Sequence, residues 1–262
     1  MSGALHPVLT IARYTLLEAL RNRLLWVLAA LALGAVGIAG FLQELALTES
    51  RELQAALLAA MLRLAAVFVV AVFVVTSMVR EAQDKGQELL LAMALPRAAY
   101  LFGKLAGYAA LAAPPALLSG ALMLACAPAQ GGAQQAALWT LSLLCELWLV
   151  AGFSLLCGIT FTHALPALAA ALSFYLLARM AGSLQLMAAH PARPRDASQH
   201  WFGMGVDAIA ALLPKLDLYT RTEWLVYGTG GWPDLAAIAA QTAIYLALLC
   251  GAALFDLYRR AL

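Results

Sequence analysis

The chain has 262 residues, 64% of them hydrophobic and 11% charged, with 16 Lys and Arg against 14 Asp and Glu. A soluble domain carries about 25% charged residues, so this composition excludes one, and a net charge of +2 is too balanced to point to nucleic acid as partner. At about 20 apolar residues per crossing, the length holds six membrane crossings and leaves no room for a separate catalytic or nucleotide-binding domain.

In chain order, residues 7–23 read as a helix lying on the membrane surface. At about 100° per residue, Val8, Leu9, Ala12, Leu16, Ala19 and Leu20 share one side, and Thr10, Arg13, Tyr14, Glu18, Arg21 and Asn22 the other. Ile11, Leu17 and Arg23 spoil the pattern, and a plain helix with basic residues before a crossing is the alternative. The run from Leu24 to Leu42 is longer than the ~7–15 apolar residues of a cleavable leader, so it is expected to stay as the first crossing. Five more are expected at 61–79, 105–127, 136–161, 164–187 and 235–257. Nothing alternates at strand period, and helices satisfy their own backbone groups in lipid, so the expected fold class is an all-α integral membrane protein, one domain over 1–262.

Orientation follows from the basic residues. With the N-terminus inside, nine are cytoplasmic: Arg13, Arg21, Arg23, Arg80, Lys85, Arg97, Lys104, Arg259 and Arg260. Arg179 falls within the fifth crossing, and six lie outside: Arg51, Arg63, Arg193, Arg195, Lys215 and Arg221. Four of those six are in the long last connection, whose interior counts less, so both termini are expected in the cytoplasm.

Residues 80–104 are highly charged, yet carry Leu89, Leu90, Leu91, Met93 and Leu95, an apolar run too short to span. Such a segment suits either docking of a soluble partner or an ordinary solvated loop. Glu146, ten residues in from Ala136, and Arg179, eight before Met187, sit at matching depths of about 15 and 12 Å on antiparallel neighbours. An ion pair, a polar patch on a transport path, and a snorkelling arginine beside a hydrated or protonated glutamate are the alternatives. Residues 190–234 mix prolines with Trp201, Phe202, Tyr219, Trp224, Tyr227 and Trp232, and read as an external loop of short or re-entrant helices with aromatics at the headgroup level. His190 and His200 lack a third ligand, and Cys126, Cys145, Cys157 and Cys250 lack metal-site spacing and read as apolar filling, so no metal site is expected.

The run from Glu81 through Gly86, Glu88, Pro96, Arg97, Tyr100, Gly103 and Lys104 to Leu105 resembles the loop after the second helix of ABC-2 type transporter permeases. Residues 10–23, TIARYTLLEALRNR, are similar to that family's amphipathic first helix, and the chain looks closest to permeases of the multicopper-enzyme and nitrous-oxide-reductase maturation type. The resemblance implies a type V exporter-like permease in a bacterial inner membrane. It also implies a second permease copy as a homodimer and two copies of an ABC ATPase that bind ATP and Mg²⁺, with room for a periplasmic accessory protein. No cofactor or catalytic residue is then expected in this chain, and Gly103-Lys104 lacks the upstream glycine and following Ser or Thr of a phosphate-binding loop. The coupling residues it implies are Arg80, Glu81, Asp84, Lys85, Gly86, Glu88, Pro96 and Arg97, with a lesser contact at residues 160–166.

Two other classes compete. An intramembrane protease needs a Ser with a His, or two Asp, at depth, whereas His6, His163, His190 and His200 lie at helix ends or in loops and no Asp is mid-helix. An ATP-independent carrier or assembly factor calls for helices broken at mid-membrane, for which Pro114 and Pro115 are the candidates.

Overall fold

The computed structural model describes residues 2–21, 24–45, 50–84, 97–126, 132–189, 205 and 212–259. Long apolar segments close their own hydrogen bonds as helices, and no strand occurs among the described residues. The helices are α1 Ser2–Arg21, α2 Leu24–Leu45, α3 Ser50–Gln83, α4 Arg97–Leu111 and α5 Ala113–Cys126. They continue with α6 Gly132–Thr160, α7 Ala164–Ala189, α8 Thr222–Tyr227 and α9 Trp232–Arg259, with a 3-10 turn at Leu216–Leu218 before α8. Among the described residues, five stretches are long and apolar enough to cross a membrane: Glu52–Gln83, Arg97–Cys126, Gly132–Thr160, Ala164–Met187 and Trp232–Arg259. The expected first crossing falls on α2, whose apolar stretch Trp26–Phe41 is shorter.

Successive long helices run antiparallel. One end of the bundle joins the end of α3 to the start of α4 (Glu81 to Lys104), the start of α4 to the end of α9 (Arg97 to Leu257) and the end of α6 to α9 (Thr160 to Asp256). The basic residues make this the end expected to face the cytoplasm, and it is called the inner end, the opposite one the outer end. At the outer end Gln135, at the start of α6, donates to the carbonyls of Gly228 and Gly230, each at 3.0 Å.

α6 is the central helix, packed by α3, α4, α5, α7, α8 and α9. Its glycines permit the approach: a Cβ on Gly158 would stand 2.6 Å from Met78 Cβ of α3, and one on Gly152 3.0 Å from a Leu246 methyl of α9. Prolines lack the N–H that continues a helix, and the chain breaks at Ala112, between α4 and α5, just before Pro114 and Pro115. One turn earlier the Trp148 indole N–H donates to the Ala109 carbonyl at 3.1 Å, tying the broken helix to α6.

Several sequence expectations change. α3 starts at Ser50, not near Met61, so Arg63 lies inside a candidate span instead of an outer loop. Residues 80–83 continue α3 and 97–104 open α4, so both ends of the charged block are helix ends, flanking residues 85–96. α1 buries the expected side with a shift: Ala19 is buried and Val8, Ala12 and Leu16 are half-buried, Thr15 and Ile11 join them, and Leu9 is left 69% exposed. The reason lies on α4, where Gly103 and Gly107, one turn apart, admit Ile11 and Thr15. A Cβ on either would come within 2.9 Å of Ile11 Cβ or 2.7 Å of Thr15 Cβ. Backbone proximity thus moves the edge of the buried side from Leu9 towards Ile11 and Thr15.

Candidate functional site

Two buried polar networks stand out, one deep in the bundle and one at its inner end. The deep one is built around Glu146, in the middle of the 29-residue α6 and fully buried. An isolated charge at such depth costs about 2.5–3.5 kcal/mol even on insertion scales, so it has to be partnered. Tyr175 of α7 donates its hydroxyl to Glu146 Oε1 at 3.0 Å, and Thr220 donates its hydroxyl to Oε2 at 2.7 Å. Arg179 Nη1 stands 3.6 Å from Oε1, so the structure brings the sequence-expected pair together.

The pair is not self-contained. Arg179 Nη1 lies closer to loop acceptors, the carbonyls of Leu216 at 2.5 Å and Tyr219 at 2.9 Å, than to the carboxylate. Arg63 of α3 reaches the same loop, its Nη1 3.4 Å from the Thr220 carbonyl. Ser142 Oγ, one turn from Glu146 on α6, accepts the Thr220 N–H at 2.9 Å. Thr220 is therefore the hub: its N–H, carbonyl and hydroxyl are held by α3, α6 and α7 together. It is held at φ 45°, the one positive-φ non-glycine residue among the described residues. A β-branched residue there is a true outlier, costing roughly 1–3 kcal/mol that the surrounding contacts must offset.

Next to the hub, Asp217 packs against Gly182 of α7, where a Cβ would collide with its Oδ2. Tyr219 is fully buried, its hydroxyl 3.0 Å from Thr242 Oγ1 and donating to the Ile238 carbonyl of α9 at 3.3 Å. Burial pushes that hydroxyl up to about 12, so it stays protonated as a donor at neutral pH. Tyr219 and Trp224, expected at the headgroup level, are thus core residues, whereas Tyr227 and Trp232 are exposed. Residues 214–220 thus pack polar backbone against the bundle, where protein groups satisfy it.

The inner-end network joins α1, α3 and α4. Lys104 is buried and forms a 2.5 Å ion pair with Glu81, which also accepts the Tyr100 hydroxyl at 3.2 Å. Tyr108 donates to Ser77 Oγ at 3.3 Å, and Ser77 donates to Glu18 of α1 at 3.0 Å. Glu81, expected to face a partner, is paired within the bundle. Arg97 is also engaged, donating to the Leu257 carbonyl at 3.0 Å with its guanidinium 5.6 Å above the Tyr258 ring. Arg80 and Asp84 are exposed. Lys85, Gly86, Glu88 and Pro96 lie outside the described residues, as do His190 and His200.

The turn after α6 is tied to the same region, Thr160 Oγ1 donating to Asp256 Oδ2 of α9 at 3.2 Å. No group of three His, Cys, Asp or Glu side chains able to hold a metal occurs among the described residues. Sequence reasoning missed Arg63, Ser142, Tyr175 and Thr220 as members of the deep network. Arg63 had a signal, a charge two residues inside an apolar run, whereas Thr220 had none.

Compared with known families, residues 41–254 match the model of the ABC-2 family transporter protein. That stretch contains α3 to α8, most of α9, the deep network and every inner-end residue named above except Glu18, Asp256, Leu257 and Tyr258. The search of curated proteins returned no match.

Proposed function

The chain belongs to the ABC-2 transporter family, and from there we propose that it couples the work of a separate ATPase to export or extraction of a cargo. It is a multi-pass membrane protein and the permease subunit of an ABC transporter, a kind of subunit that is typically non-catalytic and paired with an ABC ATPase in a dimeric arrangement. The finer reading is a homodimer of six-crossing permeases in a bacterial inner membrane, termini in the cytoplasm, with two ATPase copies supplying ATP and Mg²⁺.

One observation carries the coupling role: the helix ends that flank residues 85–96 and the turn after α6 lie at one end of the bundle and share an anchor. The last turn of α9 holds the start of α4 through Arg97 to Leu257 and the turn after α6 through Thr160 to Asp256. Glu81 and Lys104 clamp the two stems that flank residues 85–96. A push on that segment is then passed to α3, α4, α6 and α9 as one rigid body, the kind of shift by which packed helices transmit motion. Exposed Asp84, with Lys85 and Glu88, is the docking edge; Glu81 and Arg97 hold it in place.

The test separates docking from framework. Asp84→Lys with Glu88→Lys should leave insertion and thermal stability near wild type while abolishing copurification of the ATPase encoded beside it, or uncoupling its turnover. Opposite charges on a docking surface set recognition before stability. A fully active, cargo-stimulated ATPase on that variant would move the docking edge to residues 161–163 or remove the reading.

Likeness to multicopper-enzyme and nitrous-oxide-reductase maturation permeases is a narrower reading that no named residue carries; residues 10–23 and 81–105 speak for the ABC-2 family as a whole, the level that the family match reaches. An ATP-independent carrier is favoured by the break at Ala112, and cargo flux in proteoliposomes without any ATPase would select it.

A further inference from the structure

We propose that the cavity between α1 and α3 at the inner end binds the headgroup of an anionic phospholipid. The proposal goes beyond the coupling role and does not depend on it. α1 packs on α4, and a cavity of about 510 Å³ opens between α1 and the end of α3, lined by Tyr14, Leu17, Glu18, Arg21 and Arg80. The hydrogen bond from Ser77 to Glu18 links α3 to α1 beside it.

The lining is amphipathic in the sense a lipid needs. Arg21 is in the last turn of α1 and Arg80 in the last turn of α3, both exposed, so two guanidiniums from different helices converge on one opening. Among the described residues neither has a hydrogen-bond or ion-pair partner. Of the nearby acids, Glu81 is paired with Lys104, whereas the Glu18 carboxylate, which accepts the Ser77 hydroxyl, lines the same cavity. Glu18 and Asp84, exposed one turn beyond Arg80, offset part of the charge of Arg21, Arg80 and Arg13. Tyr14 is 69% and Leu17 43% exposed at the same opening, apolar surface suited to the glycerol and first acyl carbons. Arg13 extends the basic side, four residues before Leu17 and eight before Arg21, and is exposed. Guanidiniums present a planar donor fork that matches a phosphate, and basic pockets between helices at headgroup depth select anionic lipids.

Two measurements test this. Purified protein carrying Arg21→Gln and Arg80→Gln is compared with wild type by native mass spectrometry after exchange into detergent with phosphatidylglycerol. Its melting temperature is then read in nanodiscs of phosphatidylcholine with and without phosphatidylglycerol. Wild type should retain phosphatidylglycerol and gain stability from it, with retention weakened about fivefold for each arginine removed. A control with the same loss of charge at exposed outer sites, Lys215→Gln with Arg221→Gln, should behave as wild type. Leu17→Glu, which leaves both guanidiniums in place and sets a carboxylate at the opening, should weaken retention as well and serves if the double variant fails to fold. Unchanged retention in the arginine and Leu17 variants, an equal loss in the outer control, or complete competition by inorganic phosphate would overturn a phospholipid site.

Discussion

Glu146 and Thr220 show how one buried carboxylate recruits its surroundings. Removing one partner of a buried charge pair leaves the other uncompensated, at about 3–5 kcal/mol. Glu146→Gln and Arg179→Gln should therefore each lower the melting temperature of the solubilised protein, and the double variant should be milder than their sum. Strict additivity would mean the 3.6 Å approach carries no coupling energy. Thr220 separates strain from bonding. Thr220→Val keeps the β-branch at φ 45° and loses the hydroxyl given to Glu146, whereas Thr220→Gly loses the hydroxyl but relieves the backbone. The valine variant should be less stable than the glycine variant by about 1 kcal/mol or more, read as the gap between their melting temperatures.

At the scale of elements, the contact of α1 with α4 depends on absent side chains. Gly107→Val would put its branch against Thr15 and has only the separation of the two helices as an outlet, an overpacking cost of about 1–3 kcal/mol. Gly107→Val should lower the melting temperature of the solubilised protein, whereas Gly34→Val, where a Cβ meets nothing within 4 Å, should not. An unchanged melting temperature for Gly107→Val would show that α1 is held elsewhere. Gly34, Gly37 and Gly40 on α2 make the contrast, since a Cβ on any of them meets nothing within 4 Å, and alanine there should leave the fold of the single chain unaffected.

For the whole molecule the testable quantity is which side each end faces. Cysteine at Lys85 should resist a membrane-impermeant reagent in intact cells, and cysteine at Gly131 should react. The reverse pattern would invert the bundle. The nine-to-six distribution of basic residues that motivates this orientation changes with the structure, because Arg63 leaves the outer set for the interior of α3, where its guanidinium reaches Thr220. The inside bias is strengthened by that move.

Crossings, their alternation and the depth match of Glu146 with Arg179 were legible because each rests on local facts: run length, interruption by charge, and 1.5 Å of rise per residue. The resemblance of residues 81–105 pointed to the family that the match over residues 41–254 then established. Helix ends were read too short, at α3 above all, because a helix can carry charges such as Arg63 once another element covers them. Three things were settled only in the folded molecule. Glu81 turns inward because Lys104, 23 positions on, is the nearest cation that burial leaves it. α1 buries Thr15 instead of Leu9 because glycines on another helix decide where backbones meet. Thr220 becomes the hub of the deep network because groups from three helices, 41 to 157 residues away in the chain, demand acceptors and donors at one point. Periodicity and composition report on neighbours along the chain, and none of these partners is one.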